Sequence, residues 1–176
     1  TGLIEAAEQG VVFLDEIAEL PLDLQAKLLA VLERRSLRRI GSSQELRTGA
    51  WFIAATNRPV DAMVAAGELR ADLYFRLKVL SLELPPLRAR GADVLLLARR
   101  FVADIARRYG RPAPRLGPAA ERALLAHAWP GNVRELSHVI ERAVLLAVDE
   151  VIDVEALGLA SVAPAATPAA TLEDMT

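Results

Sequence analysis

Two apolar runs of the sequence end next to side chains that could act on a phosphate. The run Val11–Leu14 leads directly into Asp15 and Glu16, and the run 50–55 is followed closely by Asn57. A carboxylate can hold Mg²⁺ through the water molecules of the ion, and a second carboxylate can accept a proton from an attacking water. An asparagine amide can orient that water or respond to a terminal phosphate. The pattern therefore favours a site for a nucleoside triphosphate with Mg²⁺.

An acidic pair after an apolar strand also has a plainer interpretation, namely a strand end that begins a turn. The second apolar run favours the site, because ligands of open parallel sheets bind beyond the carboxyl ends of the strands. If the two runs form neighbouring strands, Asp15, Glu16 and Asn57 converge in one crevice.

The elements that must position these residues follow from the spacing of apolar side chains. A proline opens the segment 21–35, in which leucines recur at helical spacing. The polar stretch 36–49 predicts a hairpin or loop with short strands. The segment 59–77 predicts two helices with a break at Gly67, and the segment 79–84 predicts a third strand that ends before two prolines. Strands that alternate with helices predict an α/β fold with a parallel sheet.

The character of the sequence changes from Gly91 onward. Amphipathic segments there predict a small all-helical subdomain, and these segments are 92–110, 117–131 and 132–147. Asn132 is predicted to be the N-cap of the last helix. From residue 161 onward the chain is rich in alanine, proline and threonine, which predicts a disordered linker.

Composition excludes several kinds of site. The 176 residues include 21 Lys or Arg and 23 Asp or Glu, and this balance gives no general argument for nucleic-acid binding. The absence of cysteine excludes disulfides and thiolate metal sites, and it fits a reducing cytosol. No apolar run reaches the roughly 18 residues that a membrane span needs. His127 and His138 cannot form a zinc site alone and are interpreted as packing or surface residues.

Five stretches of the sequence resemble, in family order, the AAA+ ATPases that activate sigma-54 RNA polymerase, the bacterial enhancer-binding proteins. GVVFLDEIAELPLDLQAKLLAVLE resembles their Walker B region, IAATNR their sensor I strand and LRADLYFRL their arginine-finger region. LPPLRARGADVLLLA resembles the entry to their lid, and WPGNVREL resembles their sensor II helix. The resemblance implies the C-terminal half of a parallel-sheet P-loop NTPase core over residues 1–88, a helical lid over 89–160 and a linker over 161–176.

The resemblance also implies a role for each matching residue. Asp15 corresponds to the Walker B aspartate that coordinates Mg²⁺, and Glu16 corresponds to the glutamate that activates water. Asn57 corresponds to the sensor I asparagine, which pairs with that glutamate in the family. Arg134 corresponds to the sensor II arginine, which lies over the phosphates of ATP from the lid.

Arg70 and Arg76 resemble the two arginines at the subunit interface, of which one or both reach the neighbour's nucleotide. Residues six apart lie about 240° apart around a helix, so the two side chains cannot share one face of a regular helix. Either the segment is not one regular helix, or one arginine is the finger and the other holds the interface. We favour Arg76 as the finger. Both arginines also fit ordinary surface ion pairs with Glu68 or Asp72.

The resemblance implies ATP and Mg²⁺ as ligands, a hexameric ring in the cytoplasm without membrane attachment, and sigma-54 RNA polymerase holoenzyme as the partner. It also implies DNA binding through a C-terminal helix-turn-helix domain that these 176 residues do not contain. The chain has no G-x-x-x-x-G-K-[ST] phosphate loop and no GAFTGA loop, and it starts at Thr1. We therefore expect an internal portion that is inactive alone.

Two other functions stay open on the sequence. The first is another AAA+ motor, such as a helicase loader or a chelatase, which a GAFTGA loop upstream of the chain would exclude. The second is an interaction module without catalysis, which nucleotide binding by the longer protein would exclude.

Overall fold

The first half of the chain contains both strands and helices, as the sequence predicts. The structure is a computed structural model and describes residues 2–39, 41, 44–147 and 150–159. The elements of the first half are α1 (Leu3–Ala6), β1 (Val11–Leu14), α2 (Leu22–Arg34), β2 (Ser36–Arg38), β3 (Glu45–Arg47), β4 (Trp51–Ala54), α3 (Val60–Ala65) and α4 (Ala71–Leu77). A short 3₁₀ turn, Ile17–Glu19, connects β1 to α2.

The two apolar runs form neighbouring parallel strands. Val11 of β1 lies opposite Trp51 of β4, and Leu14 lies opposite Ala54. Parallel strands need a long crossover, which α2 and the antiparallel β2–β3 hairpin supply here. The carboxyl ends of β1 and β4 therefore coincide, and the polar residues that follow the two strands meet at one edge of the sheet.

Helix α2 joins the sheet to the helices that follow it. Leu28 and Leu32 are buried in an apolar cluster with residues of α3 and α4. The helix ends at Arg34 because Arg35 adopts the left-handed conformation, with φ 53°. The predicted helix is therefore confirmed. The predicted hairpin after it is confirmed as well, because β2 and β3 pair in antiparallel orientation.

The predicted third strand does not form. Residues 79–84 have no regular secondary structure, and Leu80 and Leu82 are 93% and 85% exposed. A strand needs a hydrogen-bonded neighbour, and none of the strands among the described residues pairs with this segment. The prediction from apolar character was therefore wrong for this structure.

The second half of the chain is mostly helical. Its elements are α5 (Asp93–Arg108), β5 (Arg115–Leu116), α6 (Pro118–Ala126), α7 (Asn132–Leu146), β6 (Val151–Ile152) and α8 (Val154–Leu157). The chain forms two compact units, Thr1–Leu82 and Glu83–Thr176, and each unit has its own apolar core. The three predicted helices are confirmed as α5, α6 and α7. None of the helices in the part of the chain that the structure describes is long and apolar enough to cross a membrane.

The predicted N-cap of α7 was wrong. Asn132 is the first residue of the helix, and the capping position belongs to Gly131. The Asn132 side chain instead accepts a hydrogen bond from the Leu87 N–H at 2.8 Å. It therefore ties the start of α7 to the short 3₁₀ turn Leu87–Ala89 of the same unit. The predicted linker, 161–176, lies outside the described residues.

Candidate active site

Asp15 and Glu16 form the turn that follows β1. Glu16 adopts the left-handed conformation, with φ 49°, which is uncommon for a residue that carries a side chain. Oδ1 of Asp15 accepts the Glu16 N–H at 3.0 Å. The next N–H, that of Ile17, donates to the Ala55 carbonyl at 3.0 Å and fixes the turn against the end of β4. Both carboxylates remain exposed at the edge of the sheet.

Asn57 completes the group at this edge. Its Nδ2 donates a hydrogen bond to Oε1 of Glu16 at 3.3 Å. Thr56 shapes the same loop, because its hydroxyl oxygen accepts the Arg58 N–H at 3.1 Å. The structure thus brings Glu16, Asn57 and Asp15 together, as the parallel pairing of β1 and β4 requires.

The chemistry of this group fits a magnesium ion that is shared with a phosphate. The described residues contain no cluster of three acidic or histidine side chains that could enclose a metal ion. Mg²⁺ usually keeps several water ligands and takes only one or two carboxylates together with substrate phosphates. The exposed carboxylate of Asp15, placed at the end of a strand, is the donor that suits this kind of binding.

Arg70 lies immediately before α4 rather than within it. Its backbone is extended, and its guanidinium forms a two-pronged pair with Asp72, with Nε–Oδ1 at 3.0 Å and Nη2–Oδ2 at 2.7 Å. This hydrogen bonding holds the pKa of Asp72 below its usual range and raises the pKa of Arg70. The segment is therefore not one helix that contains both arginines, which was one of the two arrangements expected from their spacing.

Arg76 lies in the last turn of α4 and points back to α2. Its Nη2 donates to the Leu32 carbonyl at 3.2 Å. Leu32 belongs to the last turn of α2, where carbonyl groups lack a helical partner. Both arginines therefore have partners within the same chain, and their roles at a neighbouring subunit stay a prediction.

Arg134 lies in the first turn of α7, in the second unit. The side chain is exposed and lines an open groove of about 510 Å³ together with Glu135, His138 and Arg142. No hydrogen bond or ion pair engages its guanidinium among the residues that the structure describes. A positive charge near a helix N-terminus opposes the helix dipole, so an anion is the natural partner for Arg134.

The residues before α7 determine the direction in which the helix begins. Trp129 is fully buried, and its indole N–H donates to the Leu124 carbonyl at 2.9 Å. Its backbone is left-handed, with φ 51°. The Gly131 N–H donates to Oε2 of Glu135 at 2.8 Å. A side chain from within the helix thus accepts a hydrogen bond from an N–H group that has no partner in the helix backbone.

Sequence reasoning missed two residues that organise the site. Arg58 pairs with Oε2 of Glu68 at 2.6 Å and with Oε1 of Glu19 at 3.5 Å, so it joins three loops near the sheet edge. Gln25 is fully buried among apolar residues of α2. The sequence places Gln25 three residues before Leu28 on the same helical face, but it does not indicate the partners of the side chain.

Two family models match consecutive parts of the chain. Residues 1–83 match the Sigma-54 interaction domain, and residues 88–172 match the AAA+ ATPase lid domain. The structure also resembles that of NtrX from Brucella abortus in complex with ADP. That likeness has a TM-score of 0.84 and 34% identity, and it covers 89% of this chain and 37% of NtrX.

Curated relatives are transcription regulators. The alginate biosynthesis regulator AlgB of Pseudomonas aeruginosa is 45% identical over 99% of this chain and 40% of its own length. The formate hydrogenlyase activator FhlA of Escherichia coli is 46% identical over 97% of this chain and 25% of its own length. The chain thus spans between a quarter and two fifths of these relatives. The matches confirm the predicted fold class, and the chain belongs to the AAA+ ATPase family of sigma-54-dependent transcriptional activators.

Proposed function

We propose that the full-length protein hydrolyses ATP and uses the cycle to remodel sigma-54 RNA polymerase holoenzyme at promoters. The observation that carries this proposal is the contact of Asn57 with Glu16 where β1 and β4 end together. Family membership supports it, since AlgB and FhlA are named as regulators of transcription. The ADP complex of NtrX supports a nucleotide as the ligand.

Each side chain at the sheet edge has a separate task in this proposal. Glu16 accepts the proton of the water that attacks the terminal phosphate. Asn57 holds the Glu16 carboxylate through the bond to Oε1, and it exchanges this bond when the phosphate is present or lost. Asp15 holds Mg²⁺, which supplies positive charge to the phosphates when it is bound.

The arginines supply charge from two directions. Arg76, with Arg70 at the opposite end of α4, serves the nucleotide of a neighbouring subunit in a hexameric ring, and Arg134 contacts the phosphates from the lid. A planar, permanently charged guanidinium fits phosphate oxygens, and one supplied in trans can raise the rate by roughly 10³–10⁵-fold. The partners that hold Arg70 and Arg76 in this structure, Asp72 and the Leu32 carbonyl, can be exchanged for a phosphate.

The remaining parts of the proposal concern the longer protein. Residues 1–88 serve as the C-terminal half of the α/β subdomain and residues 89–160 as the lid, and DNA binding belongs to a helix-turn-helix domain beyond this chain. The 176 residues contain no phosphate loop, so we expect them not to hydrolyse ATP alone.

The test measures ATP hydrolysis and open-promoter formation by the full-length protein. Glu16→Gln should bind ATP and fail to hydrolyse it, because an amide cannot accept the proton. Glu33→Gln, an equally conservative change of an exposed residue on α2, is the matched control and should behave as wild type. Normal turnover by Glu16→Gln would refute the role of Glu16, and a full-length protein that binds no nucleotide would favour an interaction module.

A further inference from the structure

Gln25 is a polar side chain in an apolar place. It is fully buried on the face of α2 that also carries Leu28 and Leu32. A carboxamide has two N–H donors and an acceptor oxygen, and burial is costly unless these groups find partners. The hydrogen-bond partners of Gln25 therefore indicate its structural role.

The carboxamide of Gln25 bonds to backbone groups in two separate loops. Its Nε2 donates to the Leu20 carbonyl at 2.8 Å and to the Glu68 carbonyl at 2.9 Å. Its Oε1 accepts the Arg70 N–H at 2.9 Å. Both donors and the acceptor oxygen are thus engaged, and all three partners are main-chain atoms.

The two loops are next to different groups of the proposed mechanism, namely the subunit's own candidate site and the arginines assigned to the neighbouring subunit. Leu20 ends the short segment that begins at Glu16 and turns through residues 17–19 into α2. Glu68 and Arg70 form the loop that starts α4, the helix that ends with Arg76. The first loop therefore begins at the subunit's own candidate site, and the second carries the arginines assigned to the neighbour's site.

Helix α2 holds α4 at both ends. Gln25 holds the loop before α4, and the Leu32 carbonyl, two turns later on α2, accepts the hydrogen bond of Arg76. Between these ends, Leu28 of α2 and Leu73 of α4 are buried in one apolar cluster. The apolar contacts fix the distance between the helices, whereas the hydrogen bonds of Gln25 also fix where α4 begins.

We propose that Gln25 is a positioning residue that sets the arginine segment 70–76 relative to the segment that follows Glu16. The inference rests on the proposed function, because it assigns Gln25 to the delivery of charge to a neighbouring subunit. Gln25 is fully buried and acts through the backbone of Leu20, Glu68 and Arg70.

The first test replaces Gln25 by methionine in the full-length protein. Methionine has a similar length and fills the same apolar space, but it cannot bond to the three backbone groups. We expect kcat for ATP to fall about 100-fold, the scale of a misplacement of about 1 Å, while KM changes by less than about threefold. Gln9→Met, at an exposed glutamine, is the matched control and should leave both constants unchanged. An unchanged kcat for Gln25→Met would overturn the proposal.

The second test separates a misplaced arginine from a damaged pocket by mixing subunits. Gln25→Met subunits should keep a competent pocket and lose a competent finger. Activity should therefore return when they are mixed with Glu16→Gln subunits, which provide good fingers. Activity should not return when they are mixed with Arg76→Ala subunits, because neither kind of subunit then provides a finger.

The outcomes of the mixing test are distinct. Recovery with Arg76→Ala would place the defect in the pocket, and recovery in neither mixture would indicate a general loss of structure; either result would overturn the proposal. A mixture of Arg76→Ala with Glu16→Gln is the positive control, and its failure would refute the trans arginine and the inference with it. If Gln25→Met subunits do not assemble, Gln25→Asn, which keeps a shorter carboxamide, enters the same mixtures.

Discussion

The side-chain amide of Asn57 donates a hydrogen bond to Oε1 of Glu16 across 3.3 Å, although the two residues are 41 positions apart in the sequence. The parallel register of β1 and β4 creates this contact, because it places both strand ends at one edge. The amide gives the exposed carboxylate of Glu16 a hydrogen-bond partner at this edge. In the proposed reaction it therefore controls the residue that accepts the proton.

Asn57→Ala should lower kcat and leave nucleotide affinity close to the wild-type value. A hydrogen bond to a charged group contributes about 1.5–3 kcal/mol, which corresponds to roughly 10-fold to 150-fold in rate. Steady-state hydrolysis by the full-length protein and titration with a fluorescent nucleotide check the two expectations separately. A kcat within twofold of wild type would show that the Asn57 contact is not used in turnover.

If Arg76 acts in trans as proposed, Arg76→Ala should bind ATP about as well as wild type and hydrolyse it poorly, because each pocket is intact but lacks the arginine of the neighbouring subunit. Addition of Glu16→Gln subunits should restore part of the activity. Arg88→Ala, a change of another exposed arginine, serves as the control and should retain full activity. An assembled Arg76→Ala ring that no mixture rescues would contradict a role in trans.

The Arg70–Asp72 pair predicts how the stability of the fold depends on pH. Arg70 depresses the pKa of Asp72, so the pair contributes stability above the ordinary aspartate pKa of about 3.9 and loses it as the pH falls through the depressed value. Arg70→Gln should raise the pKa of Asp72 toward its ordinary value. Carboxyl carbon chemical shifts, followed by NMR between pH 2 and about pH 6, measure this change. An Asp72 pKa that does not move in Arg70→Gln would mean that the ion pair does not form in solution.

Gly131→Ala should disturb the start of α7. A methyl group at Gly131 would lie 2.8 Å from Cβ of Glu135, an atom close to the helix backbone that has little room to move. We expect the free energy of unfolding of the second unit to fall by about 1–3 kcal/mol and protection of the α7 amides from hydrogen exchange to fall with it. Gly2→Ala, where an added methyl group meets no atom within 4 Å, is the control. Unchanged protection in Gly131→Ala would show that the turn accommodates a side chain.

Local pattern predicted most of the elements but not every pairing. The apolar runs at β1 and β4 and the leucine spacing of α2 are properties of neighbouring residues, and these predictions hold. The segment 79–84 has the same apolar character, yet its backbone finds no strand partner among the described residues. Strand formation depends on distant parts of a chain, which a local pattern does not contain.

The candidate site also combines residues that local pattern indicates with residues whose roles depend on distant partners. Asp15, Glu16 and Asn57 could be proposed as a site because they follow apolar runs and have side chains of distinctive chemistry, and the structure brings them together. Gln25 was missed because a single polar residue on an apolar helix face resembles an ordinary irregularity until its three backbone partners are known. Asn132 was assigned to the wrong task for a related reason, since its partner, Leu87, lies 45 residues away.

At position 16, the residue types that suit the left-handed backbone differ from the residue type that the proposed reaction requires. At φ 49° the main chain favours glycine or asparagine, whereas proton transfer needs a carboxylate. Glycine at position 16 would relieve the turn and remove the carboxylate that accepts the proton in the proposed reaction. A library randomised at this codon should therefore enrich glycine and asparagine when variants are selected for heat resistance, and it should retain glutamate when they are selected for promoter activation.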